Sequence, residues 1–163
     1  MSLLKRIFGE PSPDPRDTNQ LISDLAQHRQ RPKDMRELYR RLPRMEVYAS
    51  VREANFPLQN AGYHVVAPGE VLKISKCTLP NGHILAPFFV DRTDPRLARP
   101  FMGMSVRNAC EMVLKMHDIT GLMLYNPGDY WIALLKPELE RLLKNELAQP
   151  DAAPDASDQG VEP

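Results

Sequence analysis

The sequence predicts an α+β fold, a mixed and largely antiparallel sheet with helices packed against it. Three observations lead there. Two stretches with helical apolar spacing, around Leu21 to Leu25 and Met35 to Leu42, precede a run of segments whose period drops towards two. A tight turn, "LPNGH", joins two of those segments. The chain then alternates helix, strand, strand and helix, ending in "GLMLYNPGDYWIALLKPELERLL" at residues 121 to 143.

The first helix begins at Asp17, which with Gln20 three residues on has the form of a capping box, and it carries Leu21, Ile22 and Leu25 to Pro32. In the second helix, Met35, Leu38, Tyr39 and Leu42 share one apolar stripe that must face a core, and Pro43 limits it. "MEVYASV" switches to strand period. "FPLQNAGY" reads as a loop, and "HVVAPGEVLKISKCTL" as one or two strands. Within the latter the apolar phase slips between Ile74 and Cys77, so a bulge is expected at Ser75 and Lys76.

Pro80 and Gly82 suit a tight turn, so strand 69 to 78 is expected to pair with strand 83 to 90 as a hairpin. Pro87 cannot donate to a ladder and points to an edge or a bulge. "RTDPRLARP" reads as a short helical turn and loop. Ser105 caps a third helix, whose stripe is Val106, Ala109, Cys110 and Val113, running to about His117. "LMLY" is apolar on both faces, the pattern of a covered central strand. Asn126-Pro127-Gly128-Asp129 has the form of a type II turn leading to a second strand, and Pro137 opens a helix that buries Leu139, Leu142, Leu143 and Leu147.

A chain of 163 residues fits one domain. Residues 1 to 16 read as an N-terminal peptide and proline-rich linker, 17 to 147 as the folded body, and 148 to 163 as a disordered acidic tail with too few apolar residues to offset its ordering entropy. No run reaches the roughly 18 apolar residues of a membrane span. "MSLLKRIFG" lacks the hydrophobic region of a secretory signal, so a cytoplasmic location is expected. Two cysteines, Cys77 and Cys110, both in apolar patterns, read as reduced core thiols.

Twenty-one basic residues balance twenty-one acidic ones, which argues against a dedicated nucleic-acid binder. The charge is unevenly placed. Seven basic residues against two acidic ones lie between Arg29 and Arg44, whereas the stretch from Glu146 onward holds five acids and no base. The two could attract one another, or each could meet a partner. Arg36, Arg40 and Arg44 recur every four residues and, with Arg41, form a candidate partner surface; a solvated helix face is the simpler reading of the same pattern.

Chemistry has little to work with. Cys77 and His83 make a near pair across a turn, with no third group to orient them, while Cys110 and His117 lie two helical turns apart, roughly 10 Å. His28, His64, His83 and His117 have no metal-ligand spacing, and no glycine-rich phosphate loop occurs. Glu138 with Glu140 and Asp91 with Asp94 read as capping and surface acids. No catalytic, cofactor or metal residue is therefore assigned.

Taken together, "ELYRRLPRMEVYASV", "HILAPFFVDRTDPRL" and "SVRNACEMVLKMHDITGLMLYNPGDYWIALLKPELERLL" resemble the N-terminal domain of the SseB family, named for an enhanced serine sensitivity phenotype. The resemblance covers about residues 35 to 144 and rests on structural motifs: Phe89 to Asp91 at the end of one strand, Asn126-Pro127 at the end of another, and the leucine-rich helix that follows. The fuller members carry a second, C-terminal domain, which is not expected here, and "FVDR" stands where a phenylalanine-threonine pair is usual. The family has no established catalytic activity, and the full set of fold-forming patterns with no reactive constellation leads us to expect a non-enzymatic bacterial cytoplasmic module working by protein contact, with a regulatory or immunity-type role as a narrower reading. Two alternatives stay open from the residues: a cysteine-dependent enzyme or its inactive relative, and a nucleic-acid contact through Arg29 to Arg44.

Overall fold

The computed structural model describes residues 17–28, 32–58, 65–128 and 130–149. The expected N-terminal linker and nearly all of the acidic tail lie outside them. Among the described residues the α+β class is as the sequence predicts, four helices and one seven-stranded sheet.

Helix α1 (Thr18–His28) opens on Asp17, whose Oδ1 accepts from the Gln20 amide at 2.8 Å. Helix α2 (Pro32–Arg41) ends in a 3-10 turn, Leu42–Arg44, because Pro43 has no N–H to extend the α ladder. Strand β1 (Glu46–Ala54) follows. Strands β2 (Leu72–Ile74), β3 (Cys77–Thr78), β4 (Ile84–Phe89) and β5 (Phe101–Ser105) precede helix α3 (Val106–Lys115), capped by the Ser105 hydroxyl accepting from Asn108 N at 3.2 Å. Strands β6 (Gly121–Tyr125) and β7 (Trp131–Leu135) form a hairpin, and helix α4 (Lys136–Leu143) closes the body.

β5 pairs with β1, β1 with β4, β4 with β6 and β6 with β7; only the β4–β6 pair is parallel. The return from β4 to β6 runs through β5 and α3, the long crossover that a parallel pair requires. Buried residues of all four helices, among them Leu21, Leu38, Cys110 and Leu139, meet Val47, Ala86, Phe88, Leu122 and Leu134 in one core. These strand residues share one sheet face. Gly121 is obligatory here, since a Cβ would run into the Leu134 carbonyl oxygen and lie 2.9 Å from Leu135 Cα.

Several expectations change. β5, "FMGMS", has no β-branched residue and was not foreseen; its strand state comes from its register with β1, Glu46 opposite Ser105 through Ser50 opposite Phe101. The hairpin expected between 69–78 and 83–90 is limited to Cys77 and Thr78 against Leu85 and Ile84, whereas β2 pairs with β1. The expected bulge is a full break at Ser75 and Lys76, where the chain leaves the edge of β1 for that of β4.

Pro87 sits inside a central strand, opposite Met123, rather than on an edge. Its missing N–H would face the side of β4 where Cys77 opposes Leu85 and Tyr48 opposes Phe89, in the gap between those two partners. No donor is needed there. Gly128 does not take the positive φ of a type II turn; only Gly69 and Gly82 do among the described glycines. The Asn126 side chain instead holds the turn, its Oδ1 accepting from Gly128 N and Tyr130 N at 3.1 Å each.

Candidate functional site

Alternation along each strand sends the residues not in the helix-packed core to the opposite face. There the registers line up one row. Gly103 of β5 stands opposite Tyr48 of β1, Tyr48 opposite Phe89 of β4, Phe89 opposite Tyr125 of β6, and Tyr125 opposite Trp131 of β7. Four interstrand steps make this row about 19 Å long, at about 4.8 Å each. The rings of Phe89 and Tyr125 stack with centroids 5.3 Å apart, and Phe101 meets Tyr48 edge-on at 5.8 Å.

Arg96 covers the middle of the row. Its guanidinium carbon lies 4.8 Å from the Tyr125 centroid and 5.7 Å from that of Phe89, within cation–π range. Asp94 holds it with two bonds, Nε to Oδ1 at 2.9 Å and Nη2 to Oδ2 at 2.6 Å. The Asp94 carboxylate is almost fully buried, and the Arg96 bond keeps its pKa below the ordinary aspartate value. A run of turns positions both residues: Asp94 N donates to Asp91 O and Leu97 N to Asp94 O. With Arg96 in place, free aromatic surface remains at the ends of the row, at Trp131 and at Tyr48 with Phe101.

At the β5 end the row borders an open groove of about 1520 Å³. Its walls include the half-buried Met102, Met104 and Met112, the exposed Arg92 and Arg99, and the exposed apolar residues Leu58, Val65 and Val66. Gly103 lets the Tyr48 ring lie across the backbone there, since an added Cβ would come 3.1 Å from the ring. Burial and the neighbouring Glu46 carboxylate raise the Tyr48 phenol pKa, so the ring is neutral at physiological pH.

The residues singled out from sequence lie elsewhere. Arg40 and Arg41 share the single carboxylate of Glu37, Arg41 at 2.8 Å. Arg44 belongs to the 3-10 turn, so the four-residue spacing with Arg36 and Arg40 does not continue as one α-helical stripe. Tyr39 faces the core, where burial raises its pKa to about 12, and Tyr48 lies on the far face of the sheet. Arg29 and Arg31 lie outside the described residues.

Cys110 is fully buried, and desolvation pushes its thiol up to about 12. His117 lies beyond the end of α3, so the two do not share a helix. Cys77 opposes Leu85, while His83 O accepts from Leu79 N further along the hairpin. Among the described residues no group of three or more His, Cys, Asp or Glu side chains could hold a metal ion, and no helix is long and apolar enough to cross a membrane.

The aromatic row was missed because its members are scattered between positions 48 and 131. One signal was available: Phe89 and Tyr125 each end a strand-like apolar run, at the places where the chain turns out of the sheet. No protein-family model, curated protein or solved structure matches the chain.

Proposed function

We propose that the protein is a non-enzymatic, SseB-like protein-interaction module of the bacterial cytoplasm, and that a partner protein docks on the sheet face opposite the helices. The observation that carries this reading is the aromatic row Tyr48, Phe89, Tyr125 and Trp131, with Arg96 stacked over its middle and the exposed Arg92 beside its β5 end. Aromatic residues and Arg are among the types enriched in protein interfaces. The buried, weakly acidic thiol of Cys110 counts against that residue as a nucleophile, because a thiol nucleophile needs an accessible thiolate. Tyr39 faces the core and offers no ring for base stacking beside the α2 arginines, which counts against nucleic-acid contact through α2.

Affinity capture from the native cell, with the full chain as bait, tests this. A protein recovered by the wild type should be lost with Trp131→Ala combined with Arg92→Glu, and retained with Arg36→Glu combined with Arg44→Glu. Recovery of no protein above background, or capture indifferent to the first pair of substitutions, overturns the reading.

A further inference from the structure

We propose that β5 is a self-association edge, along which two copies of the chain pair antiparallel about a two-fold axis at Gly103. Val51 N donates to Pro100 O at 2.9 Å and Val106 N to Met45 O at 2.8 Å. Antiparallel alternation then turns the polar groups of Met102 and Met104 towards β1 as well. The N–H and C=O groups of Phe101 and Gly103, and the Ser105 N–H, point away from the sheet. Among the described residues no hydrogen bond reaches those outward groups.

Such an edge is a template for another strand, and natural edges are usually blunted by charge, proline or a bulge. "FMGMS" has none of these. On the outer side of β7 one group, the Leu135 N–H, is taken by Glu138 Oε2 at 2.8 Å.

The side chains favour a second copy as the occupant, because the strand is nearly palindromic about Gly103. With the axis there, Gly103 opposes itself, Phe101 opposes Ser105 of the second copy, and Met102 opposes Met104 of the second copy. Every outward-pointing residue then meets an outward-pointing residue. No bulky group sits on the axis, where Tyr48 already lies over the glycine. On the helix side, Met102 and Met104 from both copies close over each other beside Met112, covering apolar surface now half exposed. The symmetry is isologous, so the pairing ends at two copies and joins the two sheets into one.

Light scattering of the full chain across a concentration series tests the proposal. The wild type should reach twice its 18.6 kDa chain mass. Gly103→Lys should halve the observed mass by placing like charges at the axis, and an equal mixture of Gly103→Lys and Gly103→Asp chains should restore it. Hydrogen exchange of the wild type covers the case in which these variants fail to fold: the Phe101 and Gly103 amides should be protected at high concentration and exposed at low. A wild type that stays monomeric throughout, or a dimer broken by Ala133→Lys in β7 but not by Gly103→Lys, overturns it. The inference does not rest on the partner-protein reading, since mass and exchange need no partner and the capture experiment leaves β5 unchanged.

Discussion

The main-chain oxygen of Asn126 accepts a hydrogen bond from Arg96 Nη2 at 2.9 Å. The same arginine caps Phe89 and Tyr125, so the end of β6 and the 91–97 turns are fastened together over the middle of the aromatic row. The Asn126 side chain works in the other direction. Its Nδ2 donates to Ser23 Oγ at 2.6 Å and Asn19 O at 3.2 Å, tying helix α1 to the β6–β7 turn. One buried residue thus links both faces of the sheet.

Asn126→Ala should therefore destabilise the fold by about 2 to 3 kcal/mol, because several buried groups lose their partner together and each bond is worth about 1 kcal/mol net. Urea denaturation measures it. An unchanged midpoint would mean that water or neighbouring groups replace every bond.

Gly121→Ala and Gly69→Ala should differ in size and cause. At Gly121 the new methyl meets the backbone of β7, which cannot yield as a flexible side chain would, so a loss of about 2 kcal/mol or more is expected. At Gly69 nothing lies within 4 Å, and only its φ of +89° opposes a side chain, at a cost of about 1 kcal/mol. Thermal or denaturant melts of both variants should preserve that order; the reverse order would contradict the close approach of β6 and β7.

What the sequence disclosed divides along local and non-local lines. The helical stripes, the Ser105 cap and the covered strand "LMLY" were legible because each pattern is complete within a few residues. β5 was not, since its strand state depends on β1, about fifty residues earlier in the chain. Pro87 misled because its meaning depends on which partner faces it, and that partner changes across the gap between Cys77 and Tyr48. The aromatic row needed four registers at once, whereas the arginines of α2 stood out in sequence, and two of them, Arg40 and Arg41, share Glu37 in space.

The Asp94–Arg96 contact should give the protein a defined acid sensitivity. A carboxylate whose folded pKa is depressed adds stability above its unfolded pKa and loses it as pH falls through the folded value. The stability gap between wild type and Asp94→Asn should therefore be full at neutral pH and shrink as pH drops below about 3.9, the ordinary aspartate value. A gap that stays constant down to strongly acid pH would show that the ionised form is not what matters.

Cys110 and Tyr39 set the alkaline side. Burial raises the thiol from 9.0 and the phenol from 10.0, each to about 12. Stability from such groups is fully present below the ordinary value and is lost as pH rises towards the folded one. The fold should thus weaken progressively above pH 9, with Cys110 inert to an aromatic disulfide reagent in the native state and reactive only after unfolding. Rapid native labelling of Cys110 near neutral pH would contradict its placement and revive a catalytic role.

The most direct measurement is site-specific photo-crosslinking in the native cell, with a benzophenone amino acid replacing Trp131 in one strain and Arg44 in another. Docking on the sheet face predicts a discrete protein adduct from position 131 and none from position 44. Adducts from position 44 alone, or none from position 131, would contradict it.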